Sequence, residues 1–159
     1  MADVIMLCGK ICSGKSTYAK KISKEHKAVI LSVDEITLAL LGRDGGNKLD
    51  EYVGKLEAYL FDKSVEIVGT GINIVLDWGL WKRSEREYAK KFYSSRGIKC
   101  EIHYIEITDD EWERRINKRN ADISAGSVDA YCVDDGLKAK FVKMFEPPEK
   151  NEPDVYVKS

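Results

Sequence analysis

Residues 9–17 read Gly9-Lys10-Ile11-Cys12-Ser13-Gly14-Lys15-Ser16-Thr17, and this stretch decides the fold of the chain. It matches G-x-x-x-x-G-K-[ST], the Walker A pattern of phosphate-binding loops. The apolar run at 4–8 before it is typical of a buried parallel strand, and an amphipathic helix begins after it. A strand, a glycine-rich turn and a helix in this order form the context that the motif requires. The sequence therefore predicts a phosphate-binding loop, here named the P-loop (residues 9–17).

Each part of the P-loop has a physical task. The glycines let the backbone fold around an anion with its N–H groups pointing inward, and the helix N-terminus adds partial positive charge. All nine residues are predicted to bind the nucleotide. Lys15 is expected to reach the β- and γ-phosphates and to act in catalysis, and the Ser16 hydroxyl is expected to ligate Mg²⁺. The expected cofactors are therefore ATP and Mg²⁺.

Composition restricts the classes of protein to consider. A length of 159 residues fits a single domain over 1–159, and a net charge of −1 does not favour a nucleic-acid partner, although a local basic groove stays compatible with it. No apolar run is long enough to cross a membrane, and Met1-Ala2-Asp3 is too short and acidic for a signal peptide. Four scattered cysteines fit a reducing compartment, so a cytoplasmic location is expected.

The rest of the chain alternates strand and helix patterns. This alternation predicts an α/β domain with a mainly parallel sheet, whose strand carboxyl ends meet at one ligand-binding edge. Further strands are predicted at 28–33, 72–76, 99–107 and 155–157. Helices are predicted at 36–41 and 50–68, at 84–96 with a capping box from Ser84 to Glu87, after Thr108, and at 136–145.

Two segments lack these patterns. Residues 120–135 are small and polar with two glycines, and they are too long for a tight connection, so a mobile lid is predicted there. Residues 146–153 contain three prolines and are predicted to form an extended loop.

Two aspartates follow predicted strands. Asp34 is a candidate general base that takes the proton of a substrate hydroxyl, and Asp77 is a candidate ligand of Mg²⁺, directly or through water. Both are also candidate substrate contacts. The alternative is that each aspartate only caps the helix that follows it.

Trp78, Trp81, Arg83 and Arg86 come directly after Asp77. Trp78 and Trp81 are candidates to line an acceptor pocket, and Arg83 and Arg86 are candidates to contact a substrate or phosphate. The alternatives are that the tryptophans pack under the next helix and that the arginines lie in solvent.

Arg115 and Arg119 are four residues apart and share one face of a helix just before the predicted lid. They are predicted to act in catalysis by stabilising the charge on a transferring phosphate. The alternative for Arg115 is an ion pair with Glu111, which has the right spacing. Arg114 points elsewhere.

Together with the segment Arg115-Ile116-Asn117-Lys118-Arg119-Asn120, these features resemble the small P-loop kinases of the zeta-toxin, chloramphenicol-phosphotransferase and polynucleotide-kinase type. The resemblance covers nearly the whole chain. It implies a five-stranded parallel sheet in the order 2-3-1-4-5, a helical lid, ATP as donor, Mg²⁺, a lid arginine at Arg119 and Asp34 as the base. It does not fix the acceptor. Asp77-Trp78-Gly79-Leu80 also resembles the D-G-[FY] segment of nucleoside monophosphate kinases, but the extra Trp78 and the missing Pro-Arg argue against such an acceptor.

The leading prediction is an ATP-dependent kinase that phosphorylates a hydroxyl of a small-molecule acceptor. A 5′-hydroxyl polynucleotide kinase is one alternative, and a nucleotide-dependent switch or binding ATPase is another. A switch should carry a segment such as D-x-x-G followed by glutamine, and Asp77-Trp78-Gly79-Leu80 does not supply it. Asn117-Lys118-Arg119-Asn120 resembles the guanine signature N-K-x-D but lacks its aspartate, so ATP is predicted rather than GTP. The sequence leaves the oligomeric state open.

Overall fold

The structure, a computed structural model, describes residues 3–43, 45–128 and 130–159. Met1 and Ala2 of the predicted terminus, Asp44 of the loop before α3 and Asp129 of the predicted lid lie outside the described residues. Five parallel strands form the sheet: Val4–Gly9 (β1), Ala28–Ser32 (β2), Asn73–Asp77 (β3), Cys100–Glu106 (β4) and Val155–Lys158 (β5). Their order is β2-β3-β1-β4-β5, which confirms the predicted fold class and strand order.

The sheet is covered on both faces because strand side chains alternate in direction. Val4, Met6 and Cys8 of β1 belong to one buried cluster, whereas Ile5 and Leu7 belong to another on the opposite face. All six residues of β1 are buried, as expected for the central strand of a parallel sheet. Because β1, β2 and β3 are parallel neighbours, their carboxyl ends lie together at one edge of this buried sheet.

Helices occupy the remaining connections. They span Lys15–His26 (α1), Val33–Leu41 (α2), Leu49–Gly69 (α3), Arg83–Ser94 (α4), Asp109–Ser124 (α5) and Asp135–Met144 (α6). Thr108 caps α5 as predicted, with its hydroxyl accepting from the Glu111 N–H at 3.4 Å. In the described ranges, no helix is both long and apolar enough to cross a membrane. All four cysteines are free.

Two helix starts differ from the prediction. Helix α2 begins at Val33 because the Ser32 hydroxyl caps it, accepting from the Glu35 N–H at 3.2 Å. Helix α4 begins at Arg83, before the predicted capping box at Ser84. Its N-cap is Lys82, whose N–H donates to the Glu85 carboxylate at 3.1 Å. A distant acid helps to fix this start, since the Arg83 N–H donates to the Glu146 carboxylate at 2.7 Å.

The predicted lid is shorter than expected. Helix α5 continues to Ser124, so the described residues of the predicted lid that are irregular before α6 are 125–128 and 130–134. The Asn120 side chain fastens this loop to α5: its amide donates to the Val133 carbonyl at 2.7 Å and its oxygen accepts from the Val133 N–H at 2.9 Å. Val133 is 3% exposed and anchors the loop among apolar side chains.

Candidate active site

The backbone of the P-loop can be built only with glycine at two positions. A Cβ on Gly9 would lie 2.8 Å from the Ser13 Oγ and 2.9 Å from the Ile105 carbonyl oxygen, both well inside contact distance. Gly14 caps α1 with φ of 95°, a left-handed conformation that side chains disfavour. The N–H of Gly9 also donates to the Gly79 carbonyl at 3.3 Å, which joins the P-loop to the turn after β3.

Lys15 holds a positive charge inside the P-loop. Its ammonium group donates to the carbonyl oxygens of Gly9 at 3.2 Å and Lys10 at 2.7 Å. Burial lowers the pKa of Lys15, and the nearby carboxylates of Asp77 and Asp34 oppose this effect. The charge therefore lies close to both candidate aspartates.

Ser16 and Asp77 form the pair predicted to hold Mg²⁺. The Ser16 hydroxyl donates to Asp77 Oδ2 at 2.8 Å, and Asp77 is 7% exposed. Burial raises the pKa of Asp77, opposed by the Ser16 hydrogen bond and the Lys15 charge. Mg²⁺ prefers oxygen donors and commonly uses one or two carboxylates together with substrate phosphates. The oxygen donors of Ser16 and Asp77 fit this ion. The described part of the chain contains no group of three or more His, Cys, Asp or Glu that could hold a metal ion by itself.

Asp34 lies in the first turn of α2 and is exposed. Because Ser32 pairs with Asp77 in the register of β2 and β3, Asp34 lies just beyond the strand end next to Asp77. The alternative role of Asp34 as a helix cap is wrong, since Ser32 is the cap. Asp34 is therefore not needed to cap α2, the structural role that the sequence had left open for it.

One face of α5 packs against the P-loop. The Trp112 indole donates to the Ile11 carbonyl at 2.6 Å, and Arg115 Nη1 donates to the Ser13 carbonyl at 3.1 Å. Arg119 Nη1 contacts the Cys12 sulfur at 3.3 Å. Spacings of three and four residues place these side chains on one face of the helix. The sequence interpretation missed Trp112, although its spacing to Arg115 was a usable signal.

The arginines of α5 divide as the sequence suggested. Arg115 forms the ion pair with Glu111 that was its alternative role, at 2.8 Å, while it also contacts the P-loop backbone at Ser13. Arg114 pairs with Glu111 on the surface, away from the P-loop. Among the described residues, Arg119 Nε is buried and has no hydrogen-bond partner, so one donor of the guanidinium that contacts Cys12 is unsatisfied.

Arg83 and Arg86 do not join the site, which corrects the prediction that they contact a substrate. Arg86 is 1% exposed, forms an ion pair with Glu152, and donates to the Leu80 carbonyl at 3.0 Å. Arg83 pairs with Glu87 at 2.9 Å and with Glu149 at 2.7 Å. Both arginines attach the proline-rich segment before β5 to α4. This segment is a loop as predicted, but it is not extended throughout, because the Glu152 N–H donates to the Glu149 carbonyl at 2.9 Å in a turn.

The two tryptophans after β3 have different surroundings. Trp81 packs edge-on against Phe141 of α6 with ring centroids 4.8 Å apart, so it packs against a helix, but not against the next helix, α4, that the alternative named. Trp78 is 8% exposed and packs edge-on against Phe61 of α3 at 5.5 Å. It also lines a cavity of about 320 Å³ between α3 and α4. Trp78 thus combines packing with a position in a pocket.

The sequence interpretation missed the α3 wall of that cavity. Gly54, Glu57, Ala58 and Phe61 line it, and their spacing of i, i+3, i+4 and i+7 places them on one helix face. Burial, together with the charge of Glu85, raises the pKa of Glu57 to about 7. A buried helix face is usually apolar throughout. The usable signal in the sequence was that this face carries two small residues and a carboxylate instead.

Comparisons with known proteins agree with this architecture. A family model described as an AAA domain matches residues 4–140. The structure of the Mycobacterium tuberculosis APS kinase CysC in complex with AMPPNP and APS is 20% identical, with a TM-score of 0.67 over 98% of this chain and 87% of that chain. A gluconokinase from Sinorhizobium meliloti 1021 is 14% identical, with a TM-score of 0.65 over 98% and 81%.

The shikimate kinase from Aquifex aeolicus vf5 is 22% identical, with a TM-score of 0.56 over 98% of this chain and 85% of that chain. No curated protein matches the sequence significantly. At these identities the likeness shows the fold alone, which this chain shares with these three kinases.

Proposed function

We propose that this chain, which belongs to the AAA domain family, is a phosphotransferase that moves the γ-phosphate of ATP to a hydroxyl of a small-molecule acceptor. One observation carries the proposal. The ends of three adjacent strands bring together the P-loop with Lys15, the Ser16–Asp77 pair and the exposed carboxylate of Asp34. Phosphoryl transfer requires a phosphate cradle, a metal site and a group that positions the nucleophile.

On the donor side, the inward backbone N–H groups of the P-loop and the ammonium of Lys15 bind the β- and γ-phosphates. Lys15 exchanges its present contacts with loop carbonyls for phosphate oxygens. Ser16 and Asp77 would hold Mg²⁺, and the ion would supply positive charge to the phosphates. Arg119 and Arg115 approach from α5 and stabilise the charge that develops on the transferring group.

On the acceptor side, Asp34 accepts the proton of the hydroxyl as its oxygen attacks the γ-phosphorus. The new O–P bond forms while the bond between the γ-phosphorus and the β,γ-bridging oxygen breaks, and ADP leaves with the electron pair. The products are a phosphate ester, ADP and one proton. Asp34 suits this task because it is exposed, next to the metal pair and not engaged as a cap.

The loop 125–134 is proposed to close over the acceptor. The Tyr131 hydroxyl already donates to the Thr37 hydroxyl of α2 at 3.1 Å, so the loop bridges from α5 to the helix that carries Asp34. Closure would exclude water from the transferring phosphate. We place this reaction in the cytoplasm, where ATP and reduced cysteines are both expected.

Two variants test the role of Asp34 against a purely structural role. The acceptor is first identified by ATP consumption across sugars, nucleosides, aminoglycoside-like antibiotics and 5′-hydroxyl oligonucleotides. Asp34→Asn is then expected to lower kcat by roughly 10²–10⁴-fold, as for loss of a positioned general base, with little change in MgATP affinity or melting temperature. Ser32→Ala is the matched control at the same helix start, expected to cost about 1 kcal/mol of stability and to preserve kcat.

The opposite pattern would refute the mechanism. An Asp34→Asn protein that transfers phosphate at the parental rate removes Asp34 as the base. ATP consumption that no acceptor stimulates, with a rate unaffected by Asp34→Asn, identifies a hydrolytic switch. Tight, salt-sensitive binding of the oligonucleotide would favour the polynucleotide kinase instead.

A further inference from the structure

The cavity between α3 and α4 begins next to the catalytic edge of the sheet. Trp78 lines it and directly follows Asp77, whose carboxylate accepts from Ser16 at the start of α1. The next residue, Gly79, accepts a hydrogen bond from the N–H of Gly9 in the P-loop. Along the chain, the cavity residue Trp78 therefore lies between Asp77, which is proposed to hold Mg²⁺, and Gly79, which contacts the P-loop.

The size of the cavity suits a small organic molecule. Its volume of about 320 Å³ lies at the lower end of the range for small-molecule sites. The space exists because the α3 wall carries small residues, Gly54 and Ala58, one turn apart. A Cβ added at Gly54 would meet no atom within 4 Å.

The walls combine aromatic rings with negative charge. Phe61, Trp78 and Tyr88 supply three rings, and Phe61 packs edge-on against both Trp78 at 5.5 Å and Tyr88 at 5.4 Å. Glu57 from α3 and Glu85 from α4 supply two carboxylates on facing helices. Among the described residues that line the cavity, none is Lys or Arg.

This combination selects for positive charge. Two carboxylates that face each other without a cation repel, and that repulsion is relieved by a bound ammonium group. Aromatic faces attract the same group through their quadrupole. A phosphate or carboxylate on the acceptor would be repelled by the two glutamates and would find no basic side chain in the described lining.

We propose that the acceptor is a hydroxyl compound that also carries an ammonium group, bound between Glu57 and Glu85 against the rings of Trp78 and Tyr88. This assignment rests on the proposed kinase function and specifies its substrate class. The ammonium keeps its charge throughout and serves as the handle, while the hydroxyl is the nucleophile that loses its proton to Asp34. The cavity thus excludes acceptors that are already phosphorylated.

The test measures binding directly, so that it does not depend on turnover. Calorimetric titrations at about pH 8, above the pKa of about 7 of Glu57, use two matched series. The first contains glucamine, sorbitol and sorbitol phosphate, which are cationic, neutral and anionic. The second contains choline and its uncharged carbon isostere. In each series the cationic member is expected to bind at least about tenfold more tightly, which corresponds to about 1.4 kcal/mol.

Conservative variants test whether the preference for the cationic ligand arises in this cavity. Glu57→Gln combined with Glu85→Gln keeps the shape of the cavity and is expected to abolish the preference for the cation. Glu66→Gln is the matched control, because Glu66 lies on the same helix, is exposed, and pairs with Lys63 at 2.6 Å away from the cavity. This control is expected to keep the full preference.

Two results would overturn the inference. Equal or tighter binding of the neutral or anionic members, including the absence of binding by every cationic member at millimolar concentration, excludes an ammonium site. A preference that survives in the double variant excludes this cavity as its location. Titration of MgATP in the same proteins separates this failure from failure of the kinase proposal, since the P-loop is unchanged by these substitutions.

Discussion

Replacing Glu57 by Gln is expected to stabilise the protein, and by an amount that depends on pH. Burial, with the charge of Glu85, raises the pKa of Glu57 from 4.5 to about 7. Above pH 7 the folded state must therefore hold an ionised carboxylate that is more stable in the unfolded chain. Glutamine has nearly the same shape and no charge, so it removes this cost.

The magnitude follows from the change in pKa. A carboxyl whose pKa rises from 4.5 to about 7 destabilises the folded state by up to about 3.4 kcal/mol, at 1.36 kcal/mol for each pH unit. The cavity is open to solvent, and screening reduces this to about 1–2 kcal/mol. The sign is that of an acid with a raised pKa: the parent loses stability as pH rises from about 4.5 to 7, while the unfolded chain releases a proton that the folded chain retains.

Urea unfolding of the parent and Glu57→Gln at about pH 5 and about pH 8.5 measures this directly. The variant is expected to be more stable by about 1–2 kcal/mol at the higher pH and by much less at the lower pH. Glu66→Gln, on the exposed side of α3, is expected to show no such dependence. An advantage of Glu57→Gln that is equal at both values, or absent at the higher one, would refute a buried carboxyl with a raised pKa.

Three further outcomes are expected. Lys15→Ala should abolish ATP turnover and weaken ATP binding in titrations while the melting temperature stays near the parental value, and parental turnover would exclude the P-loop as the site. Arg86→Leu should lower stability by about 3 kcal/mol in urea unfolding, because it leaves Glu152 without its buried partner; a change near zero would show that the ion pair is not needed. A non-hydrolysable ATP analogue should slow hydrogen exchange in the loop 125–134, and Asn120→Ala should speed that exchange without ligand by releasing Val133. Identical exchange in all three samples would argue against a lid.

Local chemistry explains why the sequence predicted so much of the fold. The P-loop depends on residues that are adjacent in the chain, since its glycines and the following helix create the phosphate site by themselves. The strand order also follows from the resemblance, and parallel strands with short connections leave few other arrangements. Lys15, Ser16, Asp34 and Asp77 could be placed because each stands within two residues of a predicted strand end or in the motif itself.

The predictions from sequence were wrong where a residue contacts a partner that lies far away along the chain. Arg86 looked like a substrate contact from its position after β3, but the acid that pairs with it lies 66 residues further on. The start of α4 shifted for a similar reason, because Glu146 accepts a hydrogen bond from its first residue. The segment predicted as a lid contains fewer irregular residues than expected because α5 continues to Ser124, and Asn120 on this helix binds the backbone of Val133, thirteen residues away.

By itself, then, the sequence determined the proposed nucleotide site of this protein: the P-loop, its lysine, its hydroxyl and the aspartates at the neighbouring strand ends. Those groups act over a few residues and through the fixed geometry of parallel strands. Only the tertiary structure decided the proposed acceptor site. The cavity is made by a face of α3, a turn after β3 and the start of α4, which are brought together by packing. Whether Glu57 lies in water or beside Glu85 and three aromatic rings depends on that packing, and so does its charge.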